Sequence, residues 1–283
     1  MIEIDCGREF IALDDNQSQK KAITFAVDLL NHRLKKAGYR ADANTLIGHS
    51  PNKALAKCIL ERNKGGRLNP VYYGIERIAE LCSGDVSHLL LVYRRMFEAA
   101  NVEKDTMIII AHKIQHDCIR QVSRELLEAL KSYLPYGKDM YNIVIEFGKL
   151  VRNILERGKF QPGDVPSQCP RIEIEQTTGG VIEMLGANQQ KLALESLRRT
   201  VFVDMGPGLS RHGNITTLRW NLRRIFLPAF GAALAKNDAV KQKTDWFKFF
   251  ITNPKEACDM VWESWPKQQE DLGPQLFQED SEE

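Results

Sequence analysis

Residues Leu197 to Leu227 read LRRTVFVDMGPGLSRHGNITTLRWNLRRIFL. Arg198, Arg199, Arg211, Arg219, Arg223 and Arg224 face one acid here, Asp204. Val201 to Met205 is β-branched and apolar, Gly206 to Asn214 is glycine-rich, and Ile215 onward returns as a second apolar run. That is the pattern of a hairpin with an extended basic loop. Its return strand is expected to fade beyond about Trp220, where the spacing becomes mixed. Guanidinium forks match phosphate oxygens better than ammonium groups do, so the stretch reads as a nucleic-acid contact. The bland alternative is a solvated hairpin paired to Glu173, Glu175 or Glu195; isolated surface pairs contribute only ~0 to 1 kcal/mol and do not require six arginines.

Upstream, Arg171 to Glu175 alternates with period two and Gln189 to Arg199 fits a helix. Helix, strand, basic loop, strand is the layout of a winged helix, in which one element enters the major groove while the hairpin touches the adjacent backbone. The expected phosphate contacts are Arg211, His212, Arg219, Arg223 and Arg224, with Arg198 and Arg199 next. Trp220, flanked by Arg219 and Arg223, is a candidate for contact with a base or sugar.

The N-terminal half reads as helical. Asn16 to Ala37 repeats apolar residues at three- and four-residue steps and is followed by Gly38. Further helices fit Pro51 to Arg62, Ile75 to Cys82, and the run to Ala100 that buries Leu89, Val92, Met96 and Phe97. Helices over Ile114 to Tyr133 and Met140 to Arg157 follow a polar break near Asn101, and Lys159 to Pro170 reads as a loop. Two last helices fit Asp245 to Ile251 and Pro254 to Trp265. The fold class expected is therefore mainly α with a small β component. Three units follow: a helical bundle over 1–101, a winged-helix-like domain over 102–265 and an acidic tail over 266–283.

The 283 residues carry a formal net charge of +2, the balance of a basic body and an acidic tail. Six scattered cysteines without a C-x-x-C pair, no leader segment and no apolar run of about 20 residues give the expectation of a cytoplasmic protein with free thiols and no membrane span. His112 and His116 have the i, i+4 spacing of zinc ligands, but the glutamate and third ligand of such sites are missing, so a polar helix face is expected and no metal. Neither Gly137-Lys138-Asp139 nor Gly65-Gly66-Arg67 has phosphate-loop spacing, and no strand ends in a magnesium-holding acid pair. The aromatic set Phe226, Phe230, Trp246, Phe247, Phe249 and Phe250 reads mainly as core, with Trp246, Phe249 and Phe250 on one helical face.

The segment Gly74-Ile75-Glu76-Arg77-Ile78-Ala79-Glu80-Leu81-Cys82-Ser83-Gly84-Asp85-Val86-Ser87 resembles the lid of origin-recognition (Cdc6-type) AAA+ ATPases, in their bacterial branch. In that family a helix, a Gly-Asp turn and the sensor-2 helix follow one another, the lid closes over ATP, and a winged-helix domain then grips DNA. The resemblance marks Gly84, Asp85 and Ser87 as the lid motif. Ser87 stands where many relatives carry a γ-phosphate-sensing arginine, and the nucleotide-binding core is missing. ATP and magnesium are thus expected only if a partner AAA+ core or other subunit completes the site, and the chain alone is not expected to be an enzyme. The function implied is duplex DNA binding in replication initiation, or in a mobile-element or phage-defence setting. The rival reading is a protein adaptor working through the aromatic C-terminal sector and the tail, where Leu276 and Phe277 lie among acids.

Overall fold

The computed structural model describes residues 16–50, 60–62, 68–83, 85–157, 170–176, 180–206, 208–209, 216–232 and 239–270. Among these residues it is mainly helical, with a five-stranded mixed sheet and a separate two-stranded antiparallel pair.

Helix α1 (Asn16–Ala37) buries Ala26, Leu30 and Leu34 along one stripe. It ends where Gly38 takes φ +81°, letting the Tyr39 N–H reach back to the Leu34 carbonyl at 3.0 Å. The five-residue helix α2 (Ala43–Ile47) is capped by Asp42, which accepts from the Thr45 N–H at 2.7 Å. It is too short to leave a periodic signal in the sequence. Strands β1 (Leu60–Arg62) and β2 (Leu68–Pro70) pair antiparallel. The helix expected over Pro51 to Arg62 is thus wrong at its end, where cross-strand pairing with Leu68 to Pro70 overrides local preference; its residues 51–59 lie outside the described set.

Helix α3 (Ile75–Cys82) starts at Gly74, whose φ of +86° and lack of a Cβ are both required, since a Cβ would fall 2.3 Å from the Ser50 nitrogen. Helix α4 (Val86–Ala99) buries Leu89, Val92 and Met96, with Phe97 half-buried. Helix α5 (His112–Ala129) continues into a short 3-10 turn, and α6 (Gly137–Arg157) follows. Gln115 of α5 is fully buried and fully used: its amide donates to the Ile47 and Ile110 carbonyls at 2.8 Å each and accepts from the Gly74 N–H at 2.9 Å. A buried side-chain amide is stable only when satisfied in this way.

The second half contributes β3 (Arg171–Gln176), α7 (Ala187–Arg198), β4 (Phe202–Asp204), β5 (Gly208–Leu209) and β6 (Thr216–Leu222). A 3-10 turn (Arg224–Phe226), α8 (Leu227–Phe230), β7 (Ala239–Lys243), α9 (Thr244–Thr252) and α10 (Pro254–Glu270) complete it. The sheet order is β4-β6-β3-β7, with β5 also on β6; β7 runs parallel to β3 and the other pairs are antiparallel. Strand β6 continues two residues past Trp220, because Leu222 pairs with Phe202 and is needed in the core. Strand β7, with two lysines and a glutamine in five residues, carries no apolar alternation.

Ile172, Ile174, Trp220, Leu222 and Val240 turn from the sheet into a core that is continuous with that of α1 to α6. Trp220 is fully buried, 5.6 Å from Phe202 in a stacked pair and 5.1 Å from Phe247 edge-on. Its expected contact with a base gives way to a core role, because alternation along β6 sends Leu218, Trp220 and Leu222 inward and the flanking Arg219 outward. Trp246, Phe247 and Phe250 are buried and Phe249 is half-buried. Among the described residues no helix is long and apolar enough to cross a membrane.

Candidate nucleic-acid interface

Helix α7 buries Leu192, Ala193 and Ser196 and leaves Asn188, Lys191, Leu194 and Arg198 on its outer face. The steps of three, three and four residues make one stripe. Its one acid, Glu195, accepts from Arg198 at 2.6 and 2.7 Å and from Arg199 at 2.9 Å. The Arg198 and then the Arg199 guanidinium hold this carboxyl down at about 2. Arg199 also lies over the Tyr133 ring, 4.5 Å from its centroid. The helix end is thus cationic after its own acid has been neutralised.

Beyond α7 the chain enters β4. The Asp204 carboxylate accepts the Gly206 N–H at 2.9 Å and shapes the exit from the strand. Arg219, opposite on β6, is half-buried and donates to the carbonyls of Gly206 at 3.1 Å and Met205 at 3.2 Å. Arg211 and His212 lie outside the described residues.

Arg223 and Arg224 depart from the expected phosphate contacts. Each side chain is only 13% exposed, and both point back to the α3–α4 corner. Arg223 donates to Asp85 at 2.5 Å. Arg224 lies 3.6 Å from Glu80, which also accepts from Arg77 at 2.6 Å. Burial presses Arg224 below the ordinary guanidinium value, opposed by the charge of Glu80. A guanidinium this enclosed persists only beside a carboxylate, so the pair joins the sheet to the corner rather than facing solvent.

Of the lid-like motif, Gly84 lies outside the described residues. Asp85 caps α4, accepting from the Ser87 N–H at 2.9 Å, the Ser87 hydroxyl at 2.5 Å and the His88 N–H at 3.1 Å. Burial works against its ionisation, but the Ser87 hydroxyl, His88 and Arg223 overcome that and hold the carboxyl at about 2. Burial also keeps His88 below the usual histidine value. Ser87 therefore spends its hydroxyl on Asp85.

Since the folded value of Asp85 lies below its free value of 3.8, its stabilising share is complete above pH ~4 and is lost as pH falls towards 2. Asp85→Asn is expected to lower the melting temperature at pH 7 and to narrow the gap to wild type between pH 4 and 2. Thermal melts across that range check this; curves that stay parallel would contradict it.

His112 stacks on Tyr73 at 4.0 Å, and His116 stacks on Tyr72 at 5.5 Å while accepting the Tyr72 N–H at 3.2 Å. Both rings have structural work there. The surface residues missing from the sequence-based set are Asn188, Lys191 and Leu194. Their signal is the stripe opposite Leu192, Ala193 and Ser196, which is faint beside the arginine density that follows it.

The family model described as ORC-CDC6-like matches residues 44–241, from α2 into β7 and across every residue of the α3–α4 corner and of the sheet ion pairs. No curated protein and no solved structure matches the chain. With the model covering more than half of its length, the chain belongs to the ORC-CDC6-like family.

Proposed function

We propose that this ORC-CDC6-like chain binds duplex DNA through a winged-helix-type surface. In this reading α7 enters the major groove and the β5–β6 hairpin tracks the neighbouring backbone with Arg211 and His212. The observation that carries the reading is the outer face of α7: Asn188, Lys191 and Arg198 lie on one stripe, and the helix has no acid that its own arginines do not neutralise. Amide and cationic side chains on an exposed helix face are the groups that meet base edges and phosphates.

The helices before Asn101 would then act as a lid or docking module for an AAA+ core supplied by a partner, which would bring ATP and magnesium with it. Arg223 and Arg224 would serve this arrangement indirectly, by fixing the lid-like corner to the DNA-binding sheet.

The test is duplex binding followed by fluorescence anisotropy. Lys191→Ala with Arg198→Ala is expected to weaken binding about tenfold or more, as is Arg211→Ala with His212→Ala, while duplex RNA binds less well than duplex DNA. Wild-type affinity in both double variants would overturn the reading.

A further inference from the structure

Helix α7 exposes one large aliphatic side chain on an otherwise cationic face. Leu194 is 49% exposed in the interior of the helix, with Lys191 about one turn before it and Arg198 about one turn after. At about 100° per residue, Lys191, Leu194 and Arg198 fall within an arc of about 60°, centred opposite the buried Leu192, Ala193 and Ser196. Ala187, exposed at the start of the helix, lies on the same line. Folding does not call for leucine at position 194, since lysine, arginine, glutamine and glutamate have nearly the same helix propensity.

The surroundings of Leu194 narrow what can cover it. Its neighbours on the face are cations, and the one acid of the helix is already bonded to Arg198 and Arg199. Arg198 engages Glu195 through Nε at 2.6 Å and Nη2 at 2.7 Å, so that edge of its fork is taken and its charge suits a phosphate better than a guanine edge. An isobutyl group gains nothing from phosphates. In the major groove the apolar group on offer is the C5-methyl of thymine, or the same methyl on a methylated cytosine.

We infer, on the duplex-binding reading above, that Leu194 is a specificity-determining residue of the α7 face. It seats against the C5-methyl group of a pyrimidine while Lys191 and Arg198 hold phosphates on either side. The chain thus tells duplexes apart by a group that takes part in no base-pair hydrogen bond.

Four fluorescent duplexes of equal length test this: alternating adenine-thymine, the same with uracil for thymine, alternating guanine-cytosine, and the same with 5-methylcytosine. Alternation presents the methyl in every register, and uracil differs from thymine by that group alone. The full chain is expected to bind the thymine duplex about fourfold more tightly than the uracil duplex, the effect of burying one methyl-sized group. In Leu194→Gln that ratio should fall to about one, with an unchanged melting temperature. Lys191→Ala should instead weaken binding to all four duplexes and keep the ratio, because a phosphate contact does not sense the methyl. An equal gain from 5-methylcytosine over cytosine would mean that the methyl is read on either base, and a gain with thymine alone would assign the contact to thymine. Wild-type binding that ignores the methyl, or a ratio kept in Leu194→Gln, would overturn the inference while leaving duplex binding in place. Failure of the full chain to bind any of the four would overturn the duplex-binding reading and this inference together.

Discussion

Glu80→Gln is expected to destabilise the fold by about 3 kcal/mol, lowering the melting temperature by roughly 6 to 12 °C for a chain of this size. Glu80 stands between two guanidiniums, Arg77 at 2.6 Å and Arg224 at 3.6 Å, with side-chain exposures of 19% and 13%. Neutralising the acid leaves Arg224 enclosed without a countercharge, and its cost comes from desolvation more than from the lost attraction. For the same reason, pairing Glu80→Leu with Arg224→Met should cost less than Glu80→Gln alone. Differential scanning calorimetry of the three proteins decides it. A double variant that is at least as damaged as the single would mean that the corner is held by packing, not by charge.

Trp220→Ala is expected to cost about 3 to 5 kcal/mol, because removing a fully buried indole between Phe202 and Phe247 leaves a cavity at the centre of the sheet's inner face. Trp220→Phe should recover most of that loss. Urea titrations followed by far-ultraviolet circular dichroism measure both. A near-wild-type midpoint for the alanine variant would contradict the core assignment.

How far the fold was legible depends on where its information sits. The bounds of α1 and α3 were readable from spacing alone, because Leu30 and Leu34 in the first, and Ile75, Ile78 and Cys82 in the second, recur with the helical period and a break follows. Strand β3 was readable because Ile172 and Ile174 alternate with charge. Strand β7 was not, since its place is set by parallel pairing with β3, a strand far away along the chain. The same limit governs the site. Local sequence shows six arginines near one another, but not that Asp85, 138 positions before Arg223, closes over one of them. The acid that pairs with Arg198 and Arg199 lies within about one helical turn of both, so Glu195 was in view from the start.

The most direct measurement of the central claim, that α7 presents a DNA-binding face while Arg223 and Arg224 tie the sheet to the lid-like corner, is a salt series on one fluorescent duplex. The wild type, Lys191→Ala with Arg198→Ala, and Arg223→Lys are compared. The logarithm of the association constant should fall linearly with the logarithm of salt concentration, and the α7 variant's slope should be shallower by about one for each phosphate that it no longer neutralises. Arg223→Lys should keep the wild-type slope. A flat wild-type response, or a slope changed by Arg223→Lys and not by the α7 pair, would contradict the account.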